Sequence, residues 1–119
     1  MLAQFTTALF ESAAEPSNPI NPIRGYSLLQ WLRERWHPDS DFSEPRPEDW
    51  GWYSEVIWKG RRYSIGASAT DGAHFRGEWV LHVSGRGKVT LEDSCVCEIR
   101  RLIETESSFH GARFDERKF

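Results

Sequence analysis

Hydrophobic and polar positions alternate with period two on both sides of Lys59-Gly60, the pattern of a β-hairpin closed by a tight turn. With that turn, Trp58 faces Arg61, Val56 faces Tyr63 and Ser54 faces Ile65. One hairpin face then carries Trp52, Val56, Trp58, Tyr63, Ile65 and Ala67, the set expected in the core. The other carries Tyr53, Glu55, Ile57, Arg62 and Ser64, with Glu55 and Arg62 as diagonal neighbours of opposite charge.

Elsewhere the apolar period is helical. Leu28, Leu29, Leu32 and Trp36 form one stripe, predicting a helix from about Ser27 to Trp36 that Pro38 terminates. Ser27 and Gln30 read as a capping box, with Tyr26 and Trp31 as its hydrophobic staple. A second helix is predicted from about Leu91 to Glu104, with Thr90 as N-cap and Leu91, Cys95, Ile99, Leu102 and Ile103 buried. Before it, Trp79, Leu81 and Val83 alternate as a third strand over Glu78 to Ser84, which turns His82 to solvent. Three segments are less determined. Residues 1–14 fit a helix or a strand. Residues 39–49 read as a loop with a short edge strand at Phe42. The tail from Phe109 offers one more edge strand through Ala112 and Phe114.

These elements predict an α+β fold: a small antiparallel sheet of three to five strands with two α-helices on one face. A chain of 119 residues makes this a single domain, residues 1–119. Within it, residues 1–22 form an N-terminal segment and a Pro/Asn-rich connector. Six Trp are the compositional outlier, and several are expected partly at the surface. A net charge of −3 disfavours broad nucleic-acid binding. No apolar run reaches a membrane span, and no secretory signal opens the chain, so a cytoplasmic protein is expected. Cys95 and Cys97 lie one residue apart on a helix and cannot bridge, which fits a reducing compartment.

Candidate chemistry is sparse. Asp39, Asp41, Glu44, Glu48, Asp49 and Glu55 face Arg46 as their one basic counterweight, beside Trp50 and Tyr53 at the hairpin mouth. Aromatic anchors ringed by charge suit a protein interface, which makes Glu44, Glu48, Asp49, Trp50 and Tyr53 the partner-binding candidates. Gly85-Arg86-Gly87-Lys88 precedes a helix start and offers an anion site at Arg86 and Lys88. It lacks the P-loop pattern. No metal-ligand spacing occurs among His37, His74, His82 and His110, and neither metal nor cofactor is expected. Ser68, Thr70, Asp71 and His74 could be drawn as a hydrolytic grouping, but no nucleophile elbow supports it.

The expectation is a non-enzymatic binding protein of inhibitor, immunity or adaptor type, engaging a basic macromolecule through its acidic loop and aromatic hairpin edge. The alternative is a small RNA- or nucleotide-binding domain using Arg61, Arg62, Arg86, Lys88 and the exposed sheet face. An edge strand and exposed Trp could also build a homodimer.

Overall fold

The structure, a computed structural model, describes residues 1–10, 14–38, 40–69 and 78–116. Its elements in chain order are β1 (Leu2–Thr6), α1 (Tyr26–Arg35), β2 (Arg46–Glu48), β3 (Gly51–Trp58), β4 (Arg61–Ala69), β5 (Glu78–Gly85), α2 (Ser94–Thr105) and β6 (His110–Asp115). The α+β class holds, but the sheet has six strands, more than the three to five expected, in the order β2-β3-β4-β5-β1-β6. Every neighbouring pair is antiparallel.

The hairpin β3–β4 has the expected register, with Trp58 opposite Arg61, Val56 opposite Tyr63 and Ser54 opposite Ile65. Lys59 and Gly60 both have positive φ, 49° and 79°, as a two-residue turn matched to the strand twist requires. The three strands beyond β3, β4 and β5 come from the less determined segments, with β6 in the C-terminal tail. Residues 2–6 form β1, which enters between β5 and β6 and pairs with both. Residues 46–48 form β2 on the outer side of β3. Pro47 is tolerated there because an edge strand leaves one side of its ladder open. Farther along that side of β3, Phe42 bridges Val56, with Ser43 N donating to Glu55 O and Ile57 N to Asp41 O, both at 2.9 Å.

Both helices start elsewhere than expected, for electrostatic reasons. The N-cap of α1 is Gly25, with no side-chain cap from Ser27. Instead Glu15 Oε1 accepts from Gly25 N (3.1 Å) and Tyr26 N (3.0 Å), so a connector carboxylate takes the orphan amides. Arg24 Nε lies 3.2 Å from the other oxygen of Glu15. The cap of α2 is Asp93 and not Thr90, because its carboxylate accepts from Cys95 N and Val96 N. Asp93 also takes the Tyr63 hydroxyl at 3.0 Å and Arg61 Nη1 at 3.1 Å, which fastens the hairpin to the helix start.

One core lies between the sheet and the helices. It takes Trp52, Val56, Trp58, Tyr63, Ile65, Trp79, Leu81 and Val83 from the sheet and Leu28, Leu29, Leu32, Cys95, Val96, Ile99 and Ile103 from the helices. Several tryptophans were expected partly at the surface, but five of the six, Trp31, Trp36, Trp52, Trp58 and Trp79, are buried. Their indole N–H groups find partners in places, Trp52 on Ile23 O and Trp58 on Ser94 Oγ. The connector is bound rather than loosely draped. Buried Asn18 donates to Glu48 O and Gly51 O while accepting from Ile20 N and Asn21 N.

On the sheet's other face a close approach depends on Gly66 of β4. A Cβ there would run into the His82 imidazole and come within 2.6 Å of Trp50 Cη2. Gly66→Ala should therefore destabilise the protein by about 1–3 kcal/mol, the usual cost of overpacking. Urea unfolding measures it, and an unchanged midpoint would mean that both rings can step aside.

Candidate functional site: the open face of the sheet

The face turned away from the helices is built by alternation. It presents Tyr53, Glu55 and Ile57 from β3, Arg62, Ser64 and Gly66 from β4, and Val80, His82 and Ser84 from β5. Strand register sets them in rows, with Glu55, Ser64 and Ser84 side by side and Tyr53, Gly66 and His82 in the next row.

Two grooves cross this face. The first, about 670 Å³, is lined by Asp41, Ser43, Glu55, Ile57, Arg62, Ser64, Ser84 and Arg86, with Phe42 at its side. The second, about 690 Å³, runs past Trp50, His82, Ser84, Gly87, Lys88 and Glu116. Trp50 separates itself from the hairpin mouth here. Its ring packs edge-on against His82, with centroids 4.6 Å apart, and it is half-buried where the sequence pattern left it as an exposed anchor. His82 has the expected parity but not the expected solvation. Trp50 covers it, leaving 7% of its surface exposed.

The remaining partner-binding candidates lie along the β2–β3 edge. Tyr53 is half-buried on the open face opposite Arg46. Glu48 pairs with Gly51 in the β2–β3 ladder, and Asp49 follows in the exposed turn, whose carbonyl accepts from Asn21 Nδ2. Glu44 accepts a long bond, 3.4 Å, from Tyr26 Oη and stands apart from Trp50. Asp39 lies outside the described residues. Among the described residues, Asp41, Glu44, Glu48, Asp49 and Glu55 have no ion-pair partner, in contrast to the acids of α2. There Asp93 meets Arg61, Glu98 meets Arg101 and His37, and Glu104 meets Arg100. The Glu98 carboxyl is held below the usual range, chiefly by the Arg101 hydrogen bond.

The basic turn divides. Arg86 lines the first groove beside Arg62, while Lys88 lines the second, 3.8 Å from Glu116. The helix amides behind it are occupied by Asp93, which leaves no vacant N-terminal anion cradle there. Arg61 is likewise paired with Asp93.

Reactive side chains elsewhere are quieted by burial. Burial pushes the Cys95 thiol up to about 12, far from a thiolate nucleophile. Tyr63 also rises to about 12, from burial and then from its hydrogen bond to Asp93. Among the described residues, no three or more His, Cys, Asp or Glu come together as a metal site. The Thr70, Asp71 and His74 part of the hydrolytic grouping lies outside those residues; Ser68 is on β4. No described helix is long and apolar enough to cross a membrane. No family model, curated protein or solved structure matches this chain.

Burial pulls the His82 imidazole down to about 4 from its ordinary 6.5. The unfolded chain therefore binds the proton first as pH falls, and the contribution of neutral His82 is present above pH 6.5 and lost on the way down through about 4. Unfolding free energy should drop by about 2–3 kcal/mol across that window from this group alone. Its Cε1 proton resonance should titrate near pH 4, and His82→Gln should flatten the slope. A midpoint near 6.5 would show that Trp50 does not shield the ring.

Proposed function

We propose that this protein is a non-enzymatic binding module that docks a basic macromolecular partner on the acidic β2–β3 edge and the adjoining open sheet face. The observation that carries this reading is the contrast in charge pairing. Asp93, Glu98 and Glu104 at α2 are matched by arginines, whereas Asp41, Glu48, Asp49 and Glu55 on the sheet edge have no such partner among the described residues. Unpaired carboxylates in water cost little, and on meeting a basic surface they steer association and fix orientation. The edge is also held in shape: Asn18 and Asn21 tie the connector to the carbonyls of Glu48, Gly51 and Asp49, so little order is lost on binding. Trp50 acts here as a buttress for the turn, and Tyr53 supplies the aromatic contact.

A second reading, an RNA- or nucleotide-binding domain, draws support from Arg62 and Arg86, neither of which has an ion-pair partner among the described residues. With Arg61 and Lys88 already facing carboxylates, its basic footprint shrinks to those two side chains. That is thin for a phosphate backbone.

The test is capture from the native lysate at low and moderate salt, read by mass spectrometry with nucleic acid assayed in parallel, followed by affinity measurement. Glu48→Lys/Asp49→Lys should weaken binding of the captured basic protein by at least about tenfold and blunt its salt dependence. Glu104→Lys on α2 should leave it unchanged. Undiminished capture by the double variant, or recovery of RNA alone, overturns the reading.

A further inference from the structure

The first groove holds four charges that do not neutralise one another. Asp41 and Glu55 stand on the β3 side, Arg62 and Arg86 on the β4–β5 side, and none has an ion-pair partner within 4.0 Å among the described residues. Between them run the hydroxyls of Ser64 and Ser84, which sit opposite each other in the β4–β5 ladder. Ile57, opposite Arg62, gives the floor its apolar part.

We propose that this groove docks an extended segment of the partner that carries one basic and one acidic side chain. The inference rests on the docking reading above and narrows it. A purely cationic ligand would be drawn to Asp41 and Glu55 and repelled by the two guanidiniums. A phosphate chain would meet the reverse problem. A segment of both signs satisfies each wall, and an arginine fork matches a carboxylate in two parallel hydrogen bonds. The dimensions agree. Strands lie about 4.8 Å apart, so β3 to β5 spans about 10 Å. In an extended peptide, same-side residues are about 7 Å apart, and their own side chains cover the difference. The partner's backbone would cross the strands over Ser64 and Ser84, whose hydroxyls can both donate and accept.

The test uses three capped tripeptides followed by amide shifts of Ser64 and Ser84: acetyl-Lys-Ala-Asp-amide, acetyl-Lys-Ala-Asn-amide and acetyl-Gln-Ala-Asp-amide, with inorganic phosphate as a fourth probe. The two-charge peptide should bind about fivefold more tightly than either single-charge peptide, the scale of one solvent-exposed ion pair. That advantage should vanish in Arg62→Gln/Arg86→Gln and in Asp41→Asn/Glu55→Gln, all four positions being exposed. Equal binding of the Lys-Ala-Asn peptide overturns the two-sign groove while leaving the acidic edge intact as a reading. Tighter binding of phosphate than of any peptide overturns it in favour of an anion site. No saturable shift with any probe removes the groove as a docking site, and the acidic edge is then judged by its own capture experiment.

Discussion

The sheet is held together by one insertion. Residues 2–6 supply the strand that lies between β5 and β6, so among the described strands β6 meets the β2–β5 part of the sheet through β1. Leu2 pairs with His82 on one side and with Asp115 on the other. Both ladders join residues at least 72 positions apart in the chain. Such closure is entropically expensive before it is rewarded, which places the sheet among slower-folding topologies. The compensation is aromatic: Phe5 stacks on Phe109 at 4.4 Å, Trp31 lies against Phe109, and Phe10 meets Trp79 edge-on. These contacts draw β1, α1, β5 and the approach to β6 to one point in the core.

A second junction joins the other half. Asp93 caps α2 and at the same time accepts from Tyr63 and Arg61 of the hairpin, while Trp58 reaches Ser94. A single carboxylate thus meets two backbone amides, a phenol and a guanidinium. The helix cannot fray at its start without disturbing the hairpin, and the strands that form the groove are braced from behind by the element on the opposite face.

How much of this was legible follows from the range of each interaction. The hairpin was readable to the residue because its turn and its alternation are both local, and the register fixed which side chains share the open face. The apolar stripe of α1 was readable for the same reason, and that of α2 in part: Cys95, Ile99 and Ile103 are buried, but Val96 joins them while Leu91 and Leu102 are only half-buried. The helix caps were not: Glu15 reaches α1 from the connector, and Asp93 wins over Thr90 because Tyr63 and Arg61 draw the carboxylate inward. Strands β1 and β6 are short, and their partners lie far along the chain, so periodicity alone could not separate strand from helix in residues 1–14. His82 was misplaced by assuming that polar parity means water, and Trp50 by taking its acidic neighbours as a sign of exposure. The signal that could have corrected this was Gly66, a glycine inside a strand where two rings converge. Of the site, the acidic segment was visible as composition, but the grouping of Arg62 with Arg86 required the β4–β5 register.

The pairing of Leu2 with Asp115 carries one more consequence. Strands β1 and β6 run side by side, so a covalent bridge joining them would close the described residues into a ring across about one strand spacing. Opening the ring at the Lys59-Gly60 turn instead would leave every ladder in place while new ends emerged beside the groove. A peptide could then be tethered beside the groove without crossing the fold.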